Sequence, residues 1–260
     1  MVVILIVVAH PDDEVLWFGG GIRILMGKGL PIGILSTTNK SNATRKAEFE
    51  NACHVMGTVP IMADLPDGAR TIWNEPLKSI DEALLSAGIH IDKLTVVITH
   101  SPFGNERQHP QHIVVSNVIQ EWALNHDVDV AFFSEFPLTK SFGKSDANFD
   151  GMEFICRPSK FSIWSFVRNF PRIIWMQKEN FIVKLIRISE VFSMLRIYRG
   201  LKNYNQVCRF KIDLEWKATV MKCYISQIDG LQKYCAYTAK YDYLYIKSSS
   251  INEVLFPKPE

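Results

Sequence analysis

Val2-Val3-Ile4-Leu5-Ile6-Val7-Val8-Ala9-His10-Pro11-Asp12-Asp13-Glu14 runs from a block of aliphatic, largely β-branched residues straight into an imidazole and three carboxylates. A block that short, ended by His-Pro, predicts a strand buried on both faces, as in a parallel sheet. Open α/β sheets place their chemistry at the carboxyl ends of such strands. Imidazole and carboxylate together suit a first-row metal, zinc most simply, and a carboxylate that is not itself a ligand can act on water beside the metal. A solvated acidic turn before a helix is the plainer alternative, because Asp and Glu favour helix starts. A second set of imidazoles downstream weighs against it.

That set lies in Thr99-His100-Ser101-Pro102-Phe103-Gly104-Asn105-Glu106-Arg107-Gln108-His109-Pro110-Gln111-His112, which follows another apolar block, Leu94 to Ile98. Two strand ends thus present histidines to what the alternation would make one crevice. Strand candidates at 2–8, 31–36, 59–63, 94–98 and 128–133 alternate with helix candidates at 19–28, 43–56, 76–87 and 111–125. This alternation predicts an α/β fold, a Rossmann-like three-layer sandwich with a mainly parallel sheet. Gly19-Gly20-Gly21 has neither GxGxxG spacing nor a following Lys-Ser or Lys-Thr, so it reads as close packing at a helix start rather than a phosphate loop.

Taken together, the two histidine-bearing segments resemble the zinc-dependent N-acetylglucosamine deacetylases of the PIG-L/LmbE family. The first matches that family's Ala-His-Pro-Asp-Asp-Glu signature and the second its His-Pro-x-His element. Arg45-Lys46-Ala47-Glu48, on a helix ended by Gly57, resembles the family's Arg-x-x-Glu helix, and Leu65-Pro66-Asp67-Gly68 its Pro-Asp-Gly loop. Lys222 with Tyr224-Ile225-Ser226-Gln227 is similar to its late Lys and Ser-Gln helix. The resemblance implies one Zn2+ per chain on His10, Asp13 and His112, with Asp12 as general base. It implies His109 as the group that stabilises the oxyanion or protonates the leaving amine, and Arg45 and Asp67 as holders of sugar hydroxyls. Many relatives carry Asp where this chain has Gln111, and a neutral amide cannot tune His109 as a carboxylate would. His54, His90, His100 and His126 have no motif context; His100, in the same loop as His109, is the one expected to line the cleft.

At 260 residues with 47% apolar content the chain can bury the core of one domain. No apolar run reaches the roughly 18 residues of a membrane span. The five cysteines show no clip spacing, which suggests a reducing, cytoplasmic setting. Residues 140–205, within a single deacetylase domain of 1–260, form a basic, aromatic-rich insert expected to be helical or irregular. From Arg157 to Lys211 twelve basic residues face two acidic ones, net +10 in a chain whose formal total is +2. Apolar positions 181, 185, 188, 192 and 195 keep helical spacing there. A basic amphipathic helix packs on a core, lies against an anionic membrane at its inner face, or meets a phosphate-bearing substrate. No nucleic-acid module accompanies the charge.

The expectation is a metal-dependent hydrolase that removes acetyl from an N-acetylated amino sugar, free or on a phosphate- or lipid-linked carrier. Two alternatives stand beside it: hydrolysis of another N-acyl group on a secondary metabolite, and a non-catalytic membrane-associated scaffold.

Overall fold

The computed structural model describes residues 3–68, 73–102, 109–134, 148–149, 152–156, 206–231, 241–246, 251 and 255. The amino-terminal apolar block forms β1 (Ile4–Val8). It pairs in parallel with β2 (Ile32–Thr38) on one side and β4 (Val96–His100) on the other. β3 (Val59–Leu65) continues the parallel pairing beyond β2, and β5 (Asp129–Ser134) beyond β4.

Successive β1 side chains point to opposite faces, and both faces are apolar. Ile4, Ile6 and Val8 enter one core layer, while Leu5, Val7 and Ala9 enter the other. The first layer is closed by α1 (Asp13–Gly27) and α2 (Ala43–Met56), the second by α3 (Pro76–Ser86) and α4 (Pro110–Asn125). The expected three-layer α/β fold is therefore present. Chain order runs outward from β1 through β2 to β3, then returns to the far side of β1 as β4. The carboxyl ends of β1 and β4 flank this reversal, where neighbouring connections leave on opposite faces and open a crevice.

Beyond β5 the sheet turns antiparallel through β9 (Tyr241–Ile246), β8 (Gln206–Lys211), β7 (Met152–Cys156) and β6 (Asn148–Phe149), making nine strands among the described residues. β6 and β7 fall inside the segment expected to be helical or irregular, which corrects that expectation for these residues. β6 and β7 pair with each other as a short hairpin, and β7 is joined to the sheet by β8, far along the chain, a pairing that leaves little local pattern. The basic amphipathic stretch from 157 to 205 lies outside the described residues.

α1 starts at Asp13, six positions before the helix start read from the sequence, and breaks at Phe18 (φ −142°, ψ 17°). The break deprives nearby backbone groups of helical partners, and buried charges supply them. Asp242 Oδ2 accepts from Gly20 N at 2.6 Å and Gly21 N at 3.3 Å, while Lys217 Nζ donates to Leu16 O at 2.7 Å. Lys217 belongs to α5 (Leu214–Met221). A Cβ on Gly20 would lie 2.8 Å from Ile212 Cγ1, and one on Gly21 2.3 Å from the Phe18 ring. The glycines are thus packing residues as expected, but inside the helix. Lys222, matched by resemblance to the family's late lysine, is exposed at the end of α5; among the described residues the buried lysine is Lys217.

Candidate active site

Where β1 stops pairing, side chains take over. The Thr37 and Thr38 hydroxyls donate to Ala9 O at 3.1 and 2.8 Å, and Ala9 N donates to His100 Nε2 at 3.1 Å. These bonds satisfy the last backbone groups of the strand from both neighbours and deliver the next residue, His10, to the crevice.

Two residues on, Asp12 sits in the left-handed region with φ 108°. A non-glycine residue costs about 1–3 kcal/mol there and persists only where its surroundings impose it. Here they do. Asp12 N donates to Glu14 Oε2 at 3.1 Å, and Arg45 NH2 donates to Asp12 Oδ2 at 2.6 Å and also to Pro11 O. Glu14 Oε1 accepts from the Tyr224 hydroxyl. Arg45 NH1 reaches Glu48 Oε2 at 3.1 Å, and Glu48 accepts from Ser226 N and Oγ at 2.7 and 2.8 Å. The loop carrying Asp12 is therefore gripped through its backbone by Tyr224 and through its carboxylate by Ser226, each acting through one or two intermediaries.

His10, Asp13 and His112 each offer one ligand atom, and these atoms all lie within 4.8 Å of one another. Asp13 Oδ2 is the hub: His10 Nδ1 lies 3.2 Å away, His112 Nε2 3.2 Å and His100 Nε2 3.5 Å. The other oxygen, Oδ1, accepts from Trp17 Nε1 at 3.0 Å. α4 explains how His112 arrives: Pro110 occupies the first turn, where no amide hydrogen is required, and places His109 at the cap and His112 one turn on. The donor set fits zinc, which takes imidazole nitrogen and carboxylate oxygen and keeps a place open when only three ligands are protein. His112 Nδ1 is buried without a hydrogen-bond partner among the described residues, and burial holds His112 near a pKa of about 4, neutral as a ligand must be.

Electrostatics separates the two aspartates. Burial opposes the charge on both, but neighbouring imidazoles hold Asp13 well below the usual carboxylate range. Asp12 is pushed up to about 7 by burial and the charge of Asp13, against the pull of Arg45 and His10. A proton acceptor poised near neutrality suits general-base chemistry. His109, its ring centroid 5.1 Å from that of His10 and 4.7 Å from that of His112, is lowered to about 4, chiefly by burial. It is a neutral imidazole.

A cavity of about 490 Å3 opens over these groups, lined by His10, Asp12, Asp13, Arg45, Asp67, His109 and His112 together with Leu16, Trp17 and Asn39. All seven site residues expected from the sequence thus line one cleft. Arg45 is buried and committed to Asp12, Pro11 and Glu48, whereas Asp67 stands half exposed at the rim, held by His10 at 3.2 Å and Asn39 at 3.3 Å. The His10 hydrogen bond is the main reason its pKa falls to about 2. His100 is not a rim residue but lies buried beneath the site, stacked on His112 at 3.9 Å between ring centroids. The sequence signal for it was its place at the strand end. Tyr224 and Ser226, the outer holders of Asp12, had no signal beyond the resemblance.

Residues 5–123 match the model of the PIG-L family, described as GlcNAc-PI de-N-acetylase. The stretch from β1 to α4 is a PIG-L domain. All seven cleft residues lie within it, while Lys217, Tyr224 and Ser226 lie beyond it. No curated protein sequence matches the chain. Among solved structures, a deacetylase triple mutant involved in the teicoplanin biosynthetic pathway is 12% identical, covering 94% of this chain and 97% of its own, with a TM-score of 0.45. The N,N'-diacetylchitobiose deacetylase of Pyrococcus horikoshii is 15% identical, with coverages of 98% and 86% and a TM-score of 0.42. GalB, a 4-carboxy-2-hydroxymuconate hydratase of Pseudomonas putida KT2440, is 13% identical, with coverages of 100% and 98% and a TM-score of 0.44. Among the described residues no helix is long and apolar enough to cross a membrane.

Proposed function

We propose that this chain is a zinc-dependent N-deacetylase that hydrolyses the acetamide of an N-acetylated amino sugar, releasing acetate and the free amine. The observation that carries the proposal is the meeting of His10, Asp13 and His112 within 4.8 Å, in the same cavity as a carboxylate, Asp12, that stands outside that cluster. One zinc, held by those three residues, would polarise the amide carbonyl and make water a better acid.

The chain's own groups handle the protons. Asp12 accepts a proton from the attacking water and returns it to the amine nitrogen as the C–N bond breaks, so the water oxygen leaves in acetate and the amine departs neutral. His109, being neutral, donates an N–H to the carbonyl oxygen as charge builds there, a contribution of a few kcal/mol in comparable sites. Arg45 orients Asp12 and keeps its carboxylate ionisable, a larger part than holding a sugar hydroxyl. Asp67 and Asn39 face sugar hydroxyls at the rim, one as acceptor and one as donor. The basic stretch from 157 to 211 supports a phosphate-bearing or lipid-linked carrier for the sugar, and a place at an anionic inner membrane face.

The test is acetate release from a panel of N-acetylated amino sugars by the zinc-loaded protein and by Asp12→Asn. The wild type should turn over at least one member, and the variant should lose about 10²–10⁴-fold in kcat while binding one zinc per chain. Turnover of none of them, with hydrolysis of other N-acyl compounds, would move the chain to a different amide substrate.

A further inference from the structure

We propose that Gln111 is a positioning residue that decides which nitrogen His10 turns toward the metal and latches the 66–68 loop over the site. The inference rests on the zinc reading above. In sequence Gln111 stands where a carboxylate was expected to tune His109, yet the structure turns it to other partners. Its Oε1 lies 3.0 Å from His10 Nε2 and accepts from Gly68 N at 3.3 Å, and its Nε2 donates to Pro66 O at 3.3 Å.

These backbone partners remove the ambiguity of an amide. A backbone N–H can only donate and a backbone carbonyl can only accept, so the atom facing Gly68 is oxygen and the atom facing Pro66 is nitrogen. It follows that His10 Nε2 faces an amide oxygen on one side and the Asp67 carboxylate, 3.2 Å away, on the other. Two acceptors demand a hydrogen on Nε2, which leaves Nδ1, 3.2 Å from Asp13 Oδ2 at the hub of the site, as the nitrogen that would turn its lone pair to a bound metal. An acceptor on the far nitrogen that fixes tautomer and ring orientation is what a metal-binding histidine requires.

The same amide ties the site to its rim. By holding Pro66 O and Gly68 N it brackets Asp67, so the residue that meets substrate and the residue that meets metal share one anchor. Gln111 is itself buried, which keeps water from competing for these bonds.

Two variants separate the duties, with zinc affinity read by chelator competition and KM read on the best acetylated sugar. Gln111→Ala removes both and should weaken zinc binding by about 10–100-fold and raise KM. Gln111→Glu keeps the volume and the acceptor for His10 but sets a carboxylate oxygen against Pro66 O. It should hold zinc at least as tightly as the wild type while KM still rises. Zinc affinity within twofold of wild type in Gln111→Ala, or equal losses of affinity in both variants, would overturn the proposal. Absence of zinc binding by the wild-type chain would overturn the metal reading itself, a separate result from either.

Discussion

The two halves of the sheet divide the labour of this molecule. The parallel half, β3-β2-β1-β4-β5, sends every cleft residue with reactive chemistry from its strand ends and the helices that follow them. Among the described residues, the antiparallel half and the helices beside it send none of these, but they hold the first half in posture: Lys217 and Asp242 serve the broken backbone of α1, and Tyr224 and Ser226 grip the strained loop around Asp12. A site built on a left-handed aspartate and a kinked helix needs such outside restraint, because neither conformation is favoured by the local chain. The difference teaches that reactivity and rigidity can come from distant parts of one sheet.

The strongest way to break this comparison is Lys217→Met. It leaves Leu16 O without its donor and Asp242 buried without a compensating cation, so stability should fall by about 3–5 kcal/mol, measured by urea unfolding. The folded fraction should keep kcat within about twofold. A stable variant that has lost turnover would show that the antiparallel half takes part in the chemistry itself.

Tyr224→Phe sharpens the comparison at smaller scale. Removing the hydroxyl frees one oxygen of Glu14, at a cost of about 1–3 kcal/mol, and loosens the clamp on Asp12 N. kcat should fall while KM and zinc affinity stay near wild type, because neither Asp67 nor the ligands are touched. A rise in KM with kcat intact would place Tyr224 in substrate binding instead.

The smallest effect concerns pH. Burial raises the Asp242 carboxyl from 3.8 to about 6 in the folded chain, against the pull of Lys217. The folded protein therefore holds this proton more tightly than the unfolded one. The stability it contributes is fully present below about pH 3.8 and is lost as pH rises through about 6. Asp242→Asn keeps an acceptor for Gly20 N but cannot titrate, so the decline of stability across that window should flatten by about 1–3 kcal/mol at most. An unchanged profile would show that other groups set it.

Much of this is legible in the sequence. The five parallel strands and their helices fall within a few residues of the apolar blocks that announced them, because a strand buried on both faces must be apolar throughout and is closed by polar or turn-forming residues. α1 starts before the three glycines that read as its boundary, because they mark where the helix breaks and another element packs on it. β6 and β7 are not legible because β6 has only two residues and β7 is held by β8, its partner far along the chain.

By itself, then, the amino-acid order determined the parallel core and the kinds of groups at its strand ends, since burial periodicity and motif spacing are local properties that a chain carries wherever it folds. Only the tertiary structure decided that Arg45 serves Asp12, that Gln111 answers to His10 rather than His109, that His100 lies under the site, and that Lys217 rather than Lys222 is the buried lysine. Each of these is a hydrogen bond or a burial between residues far apart along the chain, and nothing short of the folded geometry selects among the partners that could have made it.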